Sequence, residues 1–197
     1  SGAQIGLPAL RSFPYPVSFA VDASLPDADA RMEAYRSEGF EVWAMIDLPD
    51  AASARDAEAA LEVAFAALPE AVGLLEGAGN GVQVTREAAD QVTAILAQTG
   101  HGFVTQNRGL NTVQKLAERS GVPAAAVFRD FDSAGQSPTV IRRFLDQAAF
   151  RAGQEGGVVM LGRLREDTIS ALLLWALQSR ASQVAMVPAS GLLKGQE

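Results

Sequence analysis

The chain is 197 residues long, 48% apolar and 20% charged, with 16 basic against 23 acidic residues for a net charge of −7. That composition fits one globular domain, 1–197, with enough chain for a real core, and it disfavours both disorder and a nucleic-acid partner. There is no cysteine and only one histidine, His101, which excludes disulfides, thiolate metal sites and a cysteine nucleophile, and leaves a zinc enzyme short of its usual imidazoles.

In chain order, short apolar and β-branched runs at 17–21, 42–46, 71–75, 103–105, 125–128, 158–161 and 184–187 predict seven strands. Six helices fit between them. The clearest has Val140, Phe144 and Ala148 beside Ile141, Leu145 and Ala149, one broad apolar face at helical spacing. Ser24 and Ser53, each followed three residues on by an aspartate, and Ser137 before Pro138 are the expected helix starts. Gly39, Gly100, Gly121 and Gly156 each precede a predicted strand, where a left-handed helix terminus is wanted.

The longest apolar stretches, such as 169–177, are too short to cross a bilayer, so no membrane span is expected within this chain. It begins Ser1-Gly2 rather than Met and reads as a domain excised from a longer protein, in which any signal peptide or anchor would precede it.

Strand and helix alternating at roughly 25–30 residues per unit imply parallel strands with right-handed crossovers, in an open doubly wound sheet or a barrel. In either arrangement chemistry collects at the carboxyl ends of the strands. The residues just past each predicted strand are Asp22, Asp47, Glu76, Gln106 with Asn107, Asp130 with Asp132, Arg163 with Arg165, and Ser190. This is a polar, mostly acidic rim without an imidazole.

On these residues the chain resembles the divergent polysaccharide deacetylases, relatives of the NodB-type carbohydrate esterases. The carrying segments are Pro16-Val17-Ser18-Phe19-Ala20 with Leu25-Pro26, Gly39-Phe40-Glu41-Val42, Ala71-Val72-Gly73, Gly121-Val122-Pro123-Ala124, Arg129-Asp130-Phe131-Asp132, and Val158 to Gly162 followed by Thr168. The resemblance implies a deformed (β/α) barrel of about seven parallel strands with six helices. It also implies an ancestral hydrolysis in which a metal-bound water attacks the acetamide of an N-acetylated sugar.

The departures are specific. Where the family places a histidine after its third strand this chain has Gly77, in the run Leu75-Glu76-Gly77-Ala78-Gly79. Where the family follows a glycine with histidine after the sixth strand, Gly162 is followed by Arg163, a permanent cation. Thr105-Gln106-Asn107 stands where an aspartate-serine-arginine segment is expected, and the family's first strand, with its paired aspartates, would fall near or before Ser1.

Weighing the residues one by one, His101 lies at the amino end of its strand and is expected at a surface or cap. The 77–81 glycine loop is expected to be flexible rather than a phosphate cradle, since Val82 breaks the dinucleotide pattern. Trp43 and Trp175 are expected in the core. Asp130 and Asp132 have two readings: with Glu76 they could form an oxygen-ligand cation site or acid/base pair, or Asp130 could pair with Arg129, Arg163 or Arg165. Ser190 has no general base in a recognisable elbow.

The expectation is therefore a deacetylase-like bacterial domain of carbohydrate metabolism without metal-dependent activity, with no catalytic residue, cofactor or metal ligand assigned. Asp22, Asp47, Glu76, Gln106, Asn107, Asp130, Asp132 and Arg163 are its candidate cleft residues. Its expected partner is a carbohydrate or peptidoglycan fragment and its expected location is the periplasm or beyond. Two alternatives stay open: a hydrolase working through carboxylates or through ligands outside this chain, and an interaction module without a sugar ligand.

Overall fold

The computed structural model describes residues 13–178 and 181–194. The chain divides into two compact units, one formed by residues 16–126 with the segment from 188 onward, the other by residues 127–187 with the segment before 16. Among the described residues six strands pair in parallel, in chain order.

In the larger unit, β1 (Ser18–Asp22), β2 (Glu41–Ile46), β3 (Gly73–Glu76), β4 (Gly102–Thr105) and the start of β5 (Ala124–Asp130) alternate with α1 (Ala28–Ser37), α2 (Ala54–Ala67), α3 (Arg86–Thr99) and α4 (Thr112–Arg119). Alternate strand residues face opposite sides of the sheet. Val42, Ala44, Ile46, Leu74 and Phe103 join Met32, Leu61, Val92, Leu96 and Ala117 of the helices in one buried cluster. On the opposite face Trp43, Leu75, Val104 and Ala125 are buried too, so both faces are covered, as parallel sheets require.

Helix α2 starts at the expected Ser53 with a full capping box, Ser53 Oγ accepting from the Asp56 amide while Asp56 accepts from the Ser53 amide at 2.8 Å. Ser24 behaves otherwise: α1 starts four residues later, with Asp27 at its N-cap, and Ser24 donates its amide and hydroxyl to Asp22 Oδ1 at 2.9 and 2.7 Å. The local Asx turn outcompetes helix capping there. Gly100 ends α3 at φ +76°, a left-handed C-cap that a side chain would strain.

The expected seventh strand is absent from the described residues. Residues 184–187 form no strand, and the chain passes instead into α7 (Ala189–Lys194). A short apolar run ending at Pro188 has β propensity but here finds no pairing partner. Helix α7 lies at the amino end of the larger unit's sheet. Leu193 is buried there, in the room that Gly102 leaves beside Trp43. Glu41 accepts from Ser18 Oγ (2.7 Å), Trp43 Nε1 (2.6 Å), the Ser190 amide (3.1 Å) and Ser190 Oγ. Burial alone would raise the Glu41 carboxyl, but these hydrogen bonds outweigh it and hold it below its ordinary value.

In the smaller unit, the end of β5 pairs with β6 (Val159–Leu161), with an irregularity between Val127 and Arg129. Helices α5 (Pro138–Glu155) and α6 (Glu166–Ala176) complete it, so the described residues hold six strands and seven α-helices rather than seven and six. The predicted face of α5 is the inward one: Ile141, Leu145 and Ala148 are buried, and Val140, Phe144 and Ala149 half-buried. Trp175 is 4% exposed and donates to Asp146 at 3.0 Å; with Trp43 at 2%, both tryptophans are core residues.

Candidate functional site

Every predicted rim residue except Ser190 lies at or just past the carboxyl end of a strand, and the rim resolves into two separate constructions. Ser190 is at the opposite end, on Glu41, because the strand that was to carry it does not form.

In the larger unit the centre is Glu76, the last residue of β3 and 0% exposed. By strand alternation it shares the helix-covered face of Leu74. Its Oε1 accepts from the amides of Val82 (3.0 Å) and Gln83 (3.2 Å), and its Oε2 from Gln83 Nε2 (2.6 Å) and the Gln106 amide (2.7 Å). Gln106 returns its side-chain amide to the Glu76 carbonyl at 2.8 Å. Four N–H donors thus enclose a carboxylate that has no path to solvent, which suits an anchor and not an acid/base group.

That anchor fixes the glycine loop, which was expected to be flexible. Asp47 Oδ1 accepts from the Gly81 amide at 2.6 Å, the Leu48 amide donates to the Gly81 carbonyl at 2.9 Å, and Arg108 reaches the carbonyls of Asn80 (2.8 Å), Gly79 and Ala78. Gly81 has φ +66°, and a Cβ there would overlap the Glu76 carboxyl. A Cβ on Gly77 would overlap the carboxyl of Asp47, so the position that resembles a histidine position is closed to any side chain in this arrangement. Asp47 and Asn107 are exposed, and Asp22 is turned to Ser24.

In the smaller unit the centre is Asp132, 1% exposed, two residues past β5. Its Oδ2 accepts from the Arg163 amide and Thr168 Oγ1, each at 2.7 Å, and its Oδ1 from Arg163 Nη1 at 2.8 Å. Asp130 takes the same guanidinium in a fork, Nη1 to Oδ1 at 2.6 Å and Nη2 to Oδ2 at 2.9 Å. Arg165 donates to the Asp132 carbonyl at 3.0 Å. The hydrogen bond to Asp130 leads in raising the Arg163 pKa above its ordinary value. Burial would lift the Asp132 carboxyl, but Thr168 and the backbone and side chain of Arg163 hold it below the usual carboxylate range.

Of the two readings of Asp130 and Asp132, the structure has the ion pair, with Arg163 as the partner. The oxygens of Glu76 are engaged within the larger unit. Gln83, Arg108, Thr168 and Glu41 went unassigned in the sequence reading. Gln83 and Arg108 lie in irregular segments whose contacts no periodicity announces, and only the backbone path brings them to Glu76 and the loop. His101 sits at the amino end of β4, stacked on Phe65 at 4.1 Å with Nδ1 2.8 Å from Thr99 Oγ1, and burial lowers its pKa.

A parallel α/β scaffold with a polar rim at its strand ends is the class these observations define. The match to the divergent polysaccharide deacetylases runs over residues 3–193, and the chain belongs to that family. Among solved structures it is similar to an uncharacterized protein, ATU2773, from Agrobacterium tumefaciens C58, at 18% identity and TM-score 0.82, covering 93% of this chain and 81% of that one. It is also similar to a family 2 AP endonuclease from Brucella melitensis, at 12% identity and TM-score 0.50, covering 86% and 91%. Both likenesses concern the fold. No curated protein matches.

The divalent metal that the resemblance implies does not fit the residues present. Gly77 and Arg163 bring no imidazole, Glu76 is enclosed by N–H groups, and Asp130 and Asp132 are held by a guanidinium. Among the described residues no three His, Cys, Asp or Glu side chains are grouped to hold an ion. The family's first strand, expected near or before Ser1, lies outside the described residues.

Proposed function

We propose that this domain recognises a carbohydrate of the cell envelope without deacetylating it, in the periplasm or outside the cell. The observation that carries the reading is the pairing of Arg163 with both Asp130 and Asp132, which commits the acidic groups of that strand end to a cation belonging to the protein itself. Family membership supports a sugar ligand. The polar groups left exposed at the larger unit's rim, Asp47, Asn80 and Asn107, suit hydroxyl recognition, since each offers hydrogen-bonding atoms to water.

The test pairs two measurements on one preparation. Isothermal titration with peptidoglycan fragments and chitin oligomers is expected to give saturable heat, while acetate release from the same oligomers stays at background with zinc, manganese or cobalt added. Acetate release above background overturns the non-catalytic part of the reading, and the absence of heat with every oligomer overturns the sugar-binding part.

A further inference from the structure

Helices α3 and α4 of the larger unit leave a cavity of about 490 Å³ between them. That lies within the roughly 300–1,000 Å³ of small-molecule sites. Its floor is apolar: Ala89 and Val113 are buried and Leu116 is half-buried. Its charged lining consists of Arg86, the first residue of α3, Arg119, the last of α4, and Asp90.

The charge there runs against the rest of the molecule. Two guanidiniums stand beside one carboxylate, in a chain that carries 23 acidic and 16 basic residues. Both cations are available to a ligand. Arg119 has no hydrogen bond or ion pair among the described residues. Arg86 lies 3.6 Å from Asp90 with its side chain 93% exposed, a contact of the kind that contributes little. A guanidinium offers paired N–H groups that match the two oxygens of a carboxylate.

One wall is fixed in advance. Gln83 Nε2 donates to Glu76 Oε2 at 2.6 Å and to the Gln106 carbonyl at 3.1 Å, and Thr85 Oγ1 donates to the Ala52 carbonyl at 2.6 Å. Holding Gln83 by its nitrogen leaves its Oε1 as an acceptor for a ligand hydroxyl.

We infer that this cavity takes a saccharide bearing a carboxylate. The C–H face of a sugar ring covers Ala89, Val113 and Leu116, its carboxylate pairs with a guanidinium, and its hydroxyls meet Gln83 Oε1 and Asp90. A neutral sugar gains nothing from the arginines, and an anion without a ring leaves the apolar floor to water. The inference rests on the sugar-binding reading above and adds where the sugar sits and what charge it carries.

The experiment compares two disaccharides by calorimetry, N-acetylglucosaminyl-N-acetylmuramic acid, which carries a lactyl carboxylate, and neutral diacetylchitobiose, with sodium lactate as the anion alone. Native protein is expected to bind the acidic disaccharide at least about tenfold tighter than the neutral one and to give no saturable heat with lactate. Arg86→Gln combined with Arg119→Gln loses that preference, and Thr112→Trp, which puts an indole into the cavity, weakens both disaccharides. All three positions are exposed, so the variants keep the fold. Disaccharide binding with no acidic preference, a preference that survives the double arginine variant, binding untouched by Thr112→Trp, or lactate bound as tightly as the acidic disaccharide overturns this inference and leaves the sugar-binding reading standing. Absence of heat with both disaccharides and with every longer oligomer overturns the two together.

Discussion

Glu76 and Asp132 are both almost fully buried carboxylates at strand ends, yet the fold holds them by different means. Glu76 is held by neutral N–H groups, three of them backbone amides, and in return it shapes a loop. Asp132 is held by Thr168 Oγ1, the Arg163 amide and a half-exposed arginine side chain that it shares with Asp130. The difference teaches that an acidic rim read from sequence is not one chemical object. A carboxylate enclosed by amides is part of the backbone architecture, whereas one neutralised by a side chain loses its counter-charge by a single substitution.

Removing Glu76 tests the first half most severely. Glu76→Ala leaves three backbone amides, of Val82, Gln83 and Gln106, without their acceptor and is expected to cost about 3–5 kcal/mol in urea unfolding, little changed between low and high salt. An equal loss at Arg163 would erase the contrast. Next is Gly81→Ala, which places a Cβ against Glu76 at φ +66° and is expected to cost about 2–3 kcal/mol in the same assay.

Arg163→Ala should cost less, about 1–2 kcal/mol, because the guanidinium is 36% exposed and screened, and this loss should shrink as salt rises. The same variant sharpens the comparison in acid. A carboxyl whose folded pKa lies below its unfolded value supplies stability present above the unfolded value, about 3.9 for Asp, and lost as pH falls through the folded one. Asp132 is such a group, so the acid-unfolding midpoint of Arg163→Ala should move to higher pH.

The smallest effect belongs to His101. Burial lowers its pKa, so the folded chain loses stability as pH falls below the ordinary histidine value of about 6.5. Replacing it with Phe should keep the stack on Phe65 and flatten thermal stability between pH 7 and pH 5.

The helix-strand alternation, the inward face of α5 and the glycine terminus of α3 were legible because each depends on residues near in sequence. The ion pair was legible in outline, since two aspartates one residue apart and an arginine after Gly162 were visible as possible partners. The choice among Arg129, Arg163 and Arg165 was not, because it depends on the β5 irregularity that re-aims Asp130. Glu76 was misread because every residue past a strand was treated as facing one cleft. Counting alternation from Leu74 puts it on the helix side, and its fourth donor comes from a residue 30 positions away. The 184–187 run failed as a strand because pairing, not composition, makes a strand.

The staple at Glu41 has a consequence for how the chain reaches its final form. Its bonds to Ser190 span 149 residues, and the companion bond from the Ala189 amide to Ser18 Oγ at 2.9 Å spans 171. Closing loops of that length draws on chain entropy that only an already ordered sheet can offset. On a ribosome that releases the amino terminus first, β1 and β2 must wait for Ser190 to emerge before Glu41 receives its last two donors. The larger unit is therefore sealed only after the whole of the smaller unit's 127–187 segment has been made.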